Sequence, residues 1–472
     1  MKSSNWFEVD KAGFQALQSG KPKYHAVREL IQNALDEDVK RIIVTTHYDR
    51  GNLDVCVEDD GGGFRDIKDA YTLFADTYKR PDATKRGRFN LGEKQAFAIC
   101  KSAEIKTTSG TIVFDENGRH RKREKTEKGT VVQIFMTKVT REEYEEILDF
   151  FKLLIVPPSI DLVINEESAV QRTPTHTFQT KLQTEYLKDG EFKPTKRITD
   201  VELFDARGRK AYLYEMGIPV CEIDCKYHIN VQQRVPMSMD RDKVSESYLQ
   251  DIFAEVLNNT FEELNPEESS ETWVRMATSD DRISKDAIKT VVEKRYGDKV
   301  VVATPSDRLS VDDAKAHGFN ILHGSMLSAD EWEQMRKHDA IQSSHDMFGK
   351  TLATETDYIT PNQEMKRVGQ LAKKIARHIF GIEISVVFVD SNASHRAYYG
   401  GRQLIFNVRR LTHDFFQHPL DEDVLEIIIH ELGHEKGMHT EIAYHQALCQ
   451  IGSALIMEEV RRTGFLDEFK NI

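Results

Sequence analysis

The chain reads as an α+β protein of several domains, and three observations carry that reading. At 472 residues it exceeds the roughly 250–300 residues at which a single core stops growing, so about two to four domains are expected. Helical and strand patterns alternate over residues 1–150, whereas strand patterns dominate 151–265. Beyond a small α/β module at 266–350, the segment 351–472 is mixed but rich in helical pattern.

Composition narrows the function classes. Apolar residues make up 39% of the chain and charged residues 30%, with 24 Phe and 15 Tyr, which excludes disorder as the general state. Apolar runs such as Ile427-Ile428-Ile429 are far too short to span a bilayer. The opening MKSSNWFEVDKAGF has no apolar core of a secretory signal. Five cysteines give no disulfide framework in a chain this long. A soluble, cytoplasmic protein with no membrane partner is expected. The 65 Lys and Arg against 78 Asp and Glu leave a net charge of −13. That balance does not support a broad nucleic-acid surface. It leaves room only for a local patch at Arg119-His120-Arg121-Lys122-Arg123, read as a hairpin between 111–114 and 129–136.

Taken in order, a helix is expected from Tyr24 to Asp38, then strands at 40–46 and 53–58. A helix follows from near Gly92, and then strands to 136. Strand-like stretches run over Leu203–Tyr214 and Pro219–Val231, with a helix at Tyr248–Leu264. The polar, Pro-containing 265–271 suits a boundary. A short strand is expected at Lys299–Ala303. The end reads as helix, strand Ile382–Val389, strand Gln403–Val408, and two helices. Cys221 and Cys225 are expected on one strand face as buried thiols.

Three motifs in the first domain suit a nucleotide. In ELIQNALD, a helix places Glu29, Asn33 and Asp36 on one face. A carboxylate beside an amide oxygen can align water and help hold Mg²⁺. Asp59, in Asp59-Asp60-Gly61-Gly62-Gly63, closes a strand and can accept from an exocyclic amine, while glycines admit a flat base. Gly87-Arg88-Phe89-Asn90-Leu91-Gly92-Glu93-Lys94 opens a helix whose free N–H groups could meet phosphates. Its order is not that of a Walker loop.

These motifs in this order, followed by Gly129-Thr130 before a strand, resemble the GHKL (Bergerat-fold) ATPases, which include gyrase, MutL, the large heat-shock chaperone and histidine kinases. The resemblance covers 1–150 and implies a Bergerat α/β sandwich that binds ATP and Mg²⁺. It makes Glu29 the base orienting the attacking water and Asn33 the Mg²⁺ ligand. Asp59 would then take the adenine amine, with Gly61 and Gly63 bordering the base and Thr130 supporting it. Gly87 to Gly92 would form the phosphate-side lid, with Asn90 a departure where many relatives carry glycine. A histidine kinase is the wrong branch, since no phospho-accepting helix precedes the motifs.

The segment VPMSMDRD resembles the chaperone middle-domain loop whose arginine reaches the γ-phosphate. Arg241 matches that position, with Arg234 or Lys243 as alternatives, which makes 151–265 transducer-like. An arginine suits the task because its fork pairs with phosphate oxygens.

Near the other end, His430-Glu431-Leu432-Gly433-His434 puts two imidazoles on one helical face, able to grip Zn²⁺. Glu431 could take a proton from metal-bound water. A helix stop at Gly437 would let His439, or else His445 or an acidic residue, become the third ligand. A core helix whose histidines only make hydrogen bonds is the competing reading. Residues 360–455 resemble the minimal zincin metallopeptidases of SprT-like and WLM type, with Arg402–Val408 as the edge strand along which peptide would lie. The expected whole is an ATP-regulated zinc metallopeptidase acting on a protein or peptide, with ATP-dependent homodimerisation as in relatives. The alternative is a chaperone-like or DNA-associated GHKL clamp whose zincin domain only binds.

Overall fold

The computed structural model describes residues 10–18, 20–64, 66–74, 85–87, 91–188, 191–237, 243–304, 308–348, 358–392, 395–437, 439 and 441–470. They form two compact units, Met1–Leu249 and Gln250–Ile472.

The first unit is built on an eight-stranded sheet. Its spatial order is Gly118–Lys122, Gly110–Asp115, Ser102–Thr107, Thr130–Thr137, Asn52–Asp59, Arg41–Asp49, Asp161–Ile164, Glu167–Ser168. All neighbours pair antiparallel except Arg41–Asp49 with Asp161–Ile164. Alternation within Asn52–Asp59 buries Leu53, Val55, Val57 and Asp59 on one face, as a sheet covered on one side requires. That face shares a core with Val27, Leu30, Ile31 and Ala34 of the helix Tyr24–Leu35. Their three- and four-residue spacing is the helical period, and each fully buried Val or Ile contributes about 1.5–3 kcal/mol. The helices Gly92–Ile99 and Arg141–Leu153 add to the same core. A capping box of Thr140 and Glu143 starts the latter.

The first helix ends at Leu35 rather than at Asp38. At its C-cap the Asp36 carboxylate accepts from Arg86 Nη1 at 2.8 Å and from the Gly87 amide at 2.8 Å.

The basic run lies on the exposed edge strand Gly118–Lys122. Its charges meet local partners: Arg119 lies 3.7 Å over the Tyr71 ring, Arg121 donates to the Ser109 carbonyl, and Lys122 pairs with Glu104 at 2.9 Å. Such charges keep an edge strand from pairing with another chain.

A five-stranded sheet follows, ordered Ile218–Ile223, Ala211–Glu215, Tyr227–Val231, Glu191–Asp205, His176–Lys188. The stretch expected as one strand over 203–214 is two, because the chain turns at 206–210. Cys221 lies in a strand but Cys225 falls beyond its end, and both are only partly buried. They therefore do not form the buried same-face pair expected.

The second unit is mainly helical. A parallel pair, Val300–Val302 with Asn320–Leu322, is connected through the helix Arg308–Ala316. Farther on, Ser385–Val389, Gln403–Asn407 and Ala397–Gly400 form a three-stranded sheet in that order. Gln403–Asn407 is therefore the central strand, not the edge strand expected from sequence. Leu404, Ile405, Phe406 and Asn407 are all buried, as a strand covered on both faces must be. The helices Gln363–Phe380, Glu422–Gly433 and Ile442–Val460 close on this sheet around Leu371, Phe406, Ile428 and Ile451. Among the described residues, no helix is long and apolar enough to cross a membrane.

Candidate functional site

Glu29 sits in the middle of Tyr24–Leu35, buried, with Arg28 Nη2 3.3 Å from its Oε1. Its other oxygen approaches the start of the helix Gly92–Ile99 so closely that a Cβ on Gly92 would lie 1.8 Å away. Any side chain at residue 92 would therefore have to displace the Glu29 carboxylate. One turn on, Asn33 donates from Nδ2 to Glu93 Oε2 at 3.1 Å, and Glu93 also meets Lys94. Glu29 also lines a cavity of about 660 Å³ with Lys21, Lys23, His25, Arg28 and Gln95.

The second cluster gathers around Asp59. Asp59 pairs in register with Thr130, and both are buried. Asp59 Oδ1 accepts from the Gly61 amide at 2.9 Å, and the Gly129 amide donates to the Gly61 carbonyl at 2.9 Å. Gly129 and Gly63 both have positive φ. A Cβ on Gly129 would fall 1.7 Å from the Asp59 carbonyl oxygen, and one on Gly63 would crowd the hydroxyls of Thr107 and Thr108. The adjacent Asp60 does different work. The amides of Arg41 and Lys40 and the Lys128 ammonium all bond its carboxylate, and they hold it well below the usual carboxylate range.

Gly87 and Gly92 are placed, but Arg88, Phe89 and Asn90 between them lie outside the described residues, as does Arg241. Of the alternatives to Arg241, Lys243 is exposed and Arg234 is fully buried. Arg234 donates to the carbonyls of Lys85 at 2.7 Å and Gly87 at 3.0 Å, so it supports the backbone of residues 85–87. Arg86, which sequence reasoning missed, joins that support by pairing with Asp36 and donating to the carbonyls of Glu215 and Met216. No spacing rule links residues 50 positions apart.

In the second unit, His430 lies in the last turn of Glu422–Gly433 and His434 caps its end. The helix stops at Gly433, four residues before Gly437, and Leu448 and Tyr444 of the next helix lie 2.8 Å from where a Cβ on Gly433 would stand. The chain reverses at once and brings His439 back. Ligand nitrogens of His430, His434 and His439 lie within 4.8 Å of one another, and the Nε2 atoms of His430 and His439 are 3.0 Å apart. His434 Nδ1 donates to the Gly437 carbonyl at 3.2 Å, while its Nε2 is buried without a partner. That nitrogen keeps a lone pair aimed into the cluster. Burial, together with the neighbouring imidazoles, lowers His430 to about 2 and His434 to about 3, so both are neutral near pH 7 and suited to a cation. The donor set fits a divalent metal such as Zn²⁺. Tyr444 Oη lies 2.8 Å from His430 Nδ1. His445 Nε2 is instead bonded to the His439 carbonyl at 2.8 Å. Glu431 is buried.

Three neighbours were not foreseen. Ser343 Oγ lies 3.3 Å and Asp346 Oδ1 3.7 Å from His439 Nδ1, and the His345 ring packs 5.0 Å from that of His439. A second cavity of about 660 Å³ opens beside the cluster, walled by Val302, Leu322, Trp332, Met335, Ile429 and Leu448.

Residues 22–149 match the family profile of the histidine kinase-, DNA gyrase B-, and HSP90-like ATPases, so the N-terminal segment is a GHKL-type ATPase domain. Similar solved structures include two of the ATPase region of Saccharomyces cerevisiae topoisomerase II. One, bound to ICRF-187 (dexrazoxane), is 11% identical with a TM-score of 0.32, over 52% of this chain and 71% of that one. The other is 12% identical with a TM-score of 0.33, over 52% and 70%. No curated protein matches the chain.

Proposed function

We propose that the N-terminal domain binds and hydrolyses ATP with Mg²⁺, and that the C-terminal unit holds one divalent metal, Zn²⁺ by its donor set. The observation that carries the first part is Glu29 seated against Gly92 within a segment that matches the ATPase profile. Glu29 orients the attacking water and takes its proton, a role for a base held at a helix start. Asn33, whose Nδ2 is engaged by Glu93, would offer its amide oxygen as a ligand to Mg²⁺. Asp59 accepts from the adenine amine, with Gly61, Gly63 and Thr130 around the base. Gly87 and Gly92 bound the phosphate-side loop, and Arg241 reaches the γ-phosphate. Glu29→Ala tests the assignment: it abolishes phosphate release while calorimetry still reads nucleotide binding. Asp59→Asn weakens binding itself. Unchanged turnover in Glu29→Ala would remove that residue from the mechanism.

For the whole chain, the reading best supported is an ATP-driven clamp, chaperone-like or DNA-associated, whose metal-bearing unit serves as a binding module. The profile match to the ATPase region, set beside a mainly helical second unit, supports it. The reading takes the domains as 1–150, 151–265, 266–350 and 351–472, and homodimerisation on ATP fits a clamp. A second reading, an ATP-regulated zinc metallopeptidase of zincin fold, is favoured by the buried Glu431 beside the convergent His430, His434 and His439. A metal bound there supplies Lewis acidity. Glu431 then serves as the general base, and a protein or peptide is the substrate.

A further inference from the structure

The three histidines come from one stretch of chain, yet the side chains that orient the third come from another. His439 presents Nε2 to the cluster, 3.0 Å from His430 Nε2. Its opposite nitrogen, Nδ1, faces Ser343 Oγ at 3.3 Å and Asp346 Oδ1 at 3.7 Å. Ser343 Oγ donates to Asp346 Oδ2 at 2.7 Å and accepts from the Asp346 amide at 3.0 Å, so the two side chains are fixed to each other. Asp346 and His439 are almost enclosed, with 10% and 9% of their side chains exposed. The bond to the imidazole is that of Ser343 Oγ, which the Asp346 carboxylate holds in turn, so the pair together fixes the tautomer of His439, aims its other nitrogen and offsets part of a cation's charge.

We infer that Asp346, acting through Ser343, is the positioning residue that makes His439 the third metal ligand, so that the 300–348 segment completes the metal centre. The inference rests on the metal reading above. It gives a role to a stretch that sequence left without one. The segment is stitched to its own strand pair: the Val302 amide donates to the Gln342 carbonyl at 2.9 Å, and the Thr304 amide to Ser344 Oγ at 3.2 Å. Metal binding and the docking of 300–348 are therefore one equilibrium, because each side supplies what orders the other. His445 stands outside the convergent three, its Nε2 bonded to the His439 carbonyl.

The test is zinc affinity of the full-length chain, measured by competition with a chromophoric chelator. Asp346→Ala loses affinity about 10–100-fold, Asp346→Asn loses less because its amide oxygen still accepts from Ser343 Oγ, and His439→Ala loses at least as much as Asp346→Ala. His445→Ala stays within about twofold, on the scale of a residue outside the ligand set and its hydrogen-bonded shell. Hydrogen exchange supplies a second readout: zinc slows exchange over 300–348 in the natural chain and not in Asp346→Ala. Natural affinity in Asp346→Ala alongside loss in His439→Ala overturns the role of Asp346. Exchange over 300–348 that ignores zinc overturns the coupling. Absence of zinc binding by the natural chain overturns the metal reading beneath both. Circular dichroism of Asp346→Asn separates these outcomes from misfolding.

Discussion

Glu29 fills the space that any side chain at residue 92 would need, its Oε2 lying 1.8 Å from where a Cβ on Gly92 would stand. The carboxylate thus abuts the first turn of Gly92–Ile99. The amides there lack helical partners and favour negative charge. One glycine therefore sets both the packing of two helices and the environment of the proposed base.

Gly92→Ala is expected to displace Glu29 and to cut ATP turnover in the same direction as removing the base, by about 10²–10⁴-fold. Nucleotide binding should fall much less. Steady-state phosphate release beside calorimetry checks this; full turnover in Gly92→Ala would show that Glu29 need not sit there.

Asp36→Ala leaves the Arg86 guanidinium buried without its carboxylate and frees the amides of Arg86 and Gly87. A loss of about 3–5 kcal/mol is expected, as for breaking a buried ion pair by removing one partner. Urea unfolding of the first unit, followed by tyrosine and far-ultraviolet signals, reads it. A midpoint within error of the natural chain would contradict the pair's importance.

Glu431→Gln separates the two readings of the C-terminal unit. The amide cannot accept a proton, yet residue 431 is not among the convergent nitrogens, so zinc content should persist. If the natural chain cleaves casein or itself with ATP and the variant does not, Glu431 acts as a base. If neither cleaves while both bind zinc, the unit is a binding module.

His228 makes folding sensitive to acid. Burial, aided by Arg172, lowers it to about 4, and its Nδ1 accepts from the Tyr212 amide at 3.2 Å, which only a neutral imidazole can do. Protonation therefore favours the unfolded chain, where the group titrates near 6.5. Its contribution is complete above about pH 6.5 and is lost as pH falls toward 4. The urea midpoint should drop across that window, and His228→Gln should flatten the slope. An equally steep slope in the variant would assign it to other groups.

Much of this was legible along the chain. Val27, Leu30, Ile31 and Ala34 announce a helix by period, and the i, i+4 spacing of His430 and His434 announces convergent imidazoles. What escaped depends on distant pairing. Arg86 meets Asp36 across 50 positions and Ser343 meets His439 across 96, and neither pair has a local signature. Gln403–Asn407 misled because an apolar run says that a strand is buried, not which strands flank it. Cys225 misled because the strand ends at Ile223, and alternation means nothing past a strand's end.

The cavity beside the histidines carries an optical property of its own. Of the chain's three tryptophans, Trp332 lines that cavity, its Nε1 donating to the Gly324 carbonyl, whereas Trp273 is fully buried elsewhere in the unit. A molecule that enters replaces water against the indole and shifts its emission to the blue. A copper ion in place of zinc would quench it at close range. Occupancy of the cavity can thus be followed in real time, without label or added chromophore, as a change in the tryptophan emission to which Trp332 contributes.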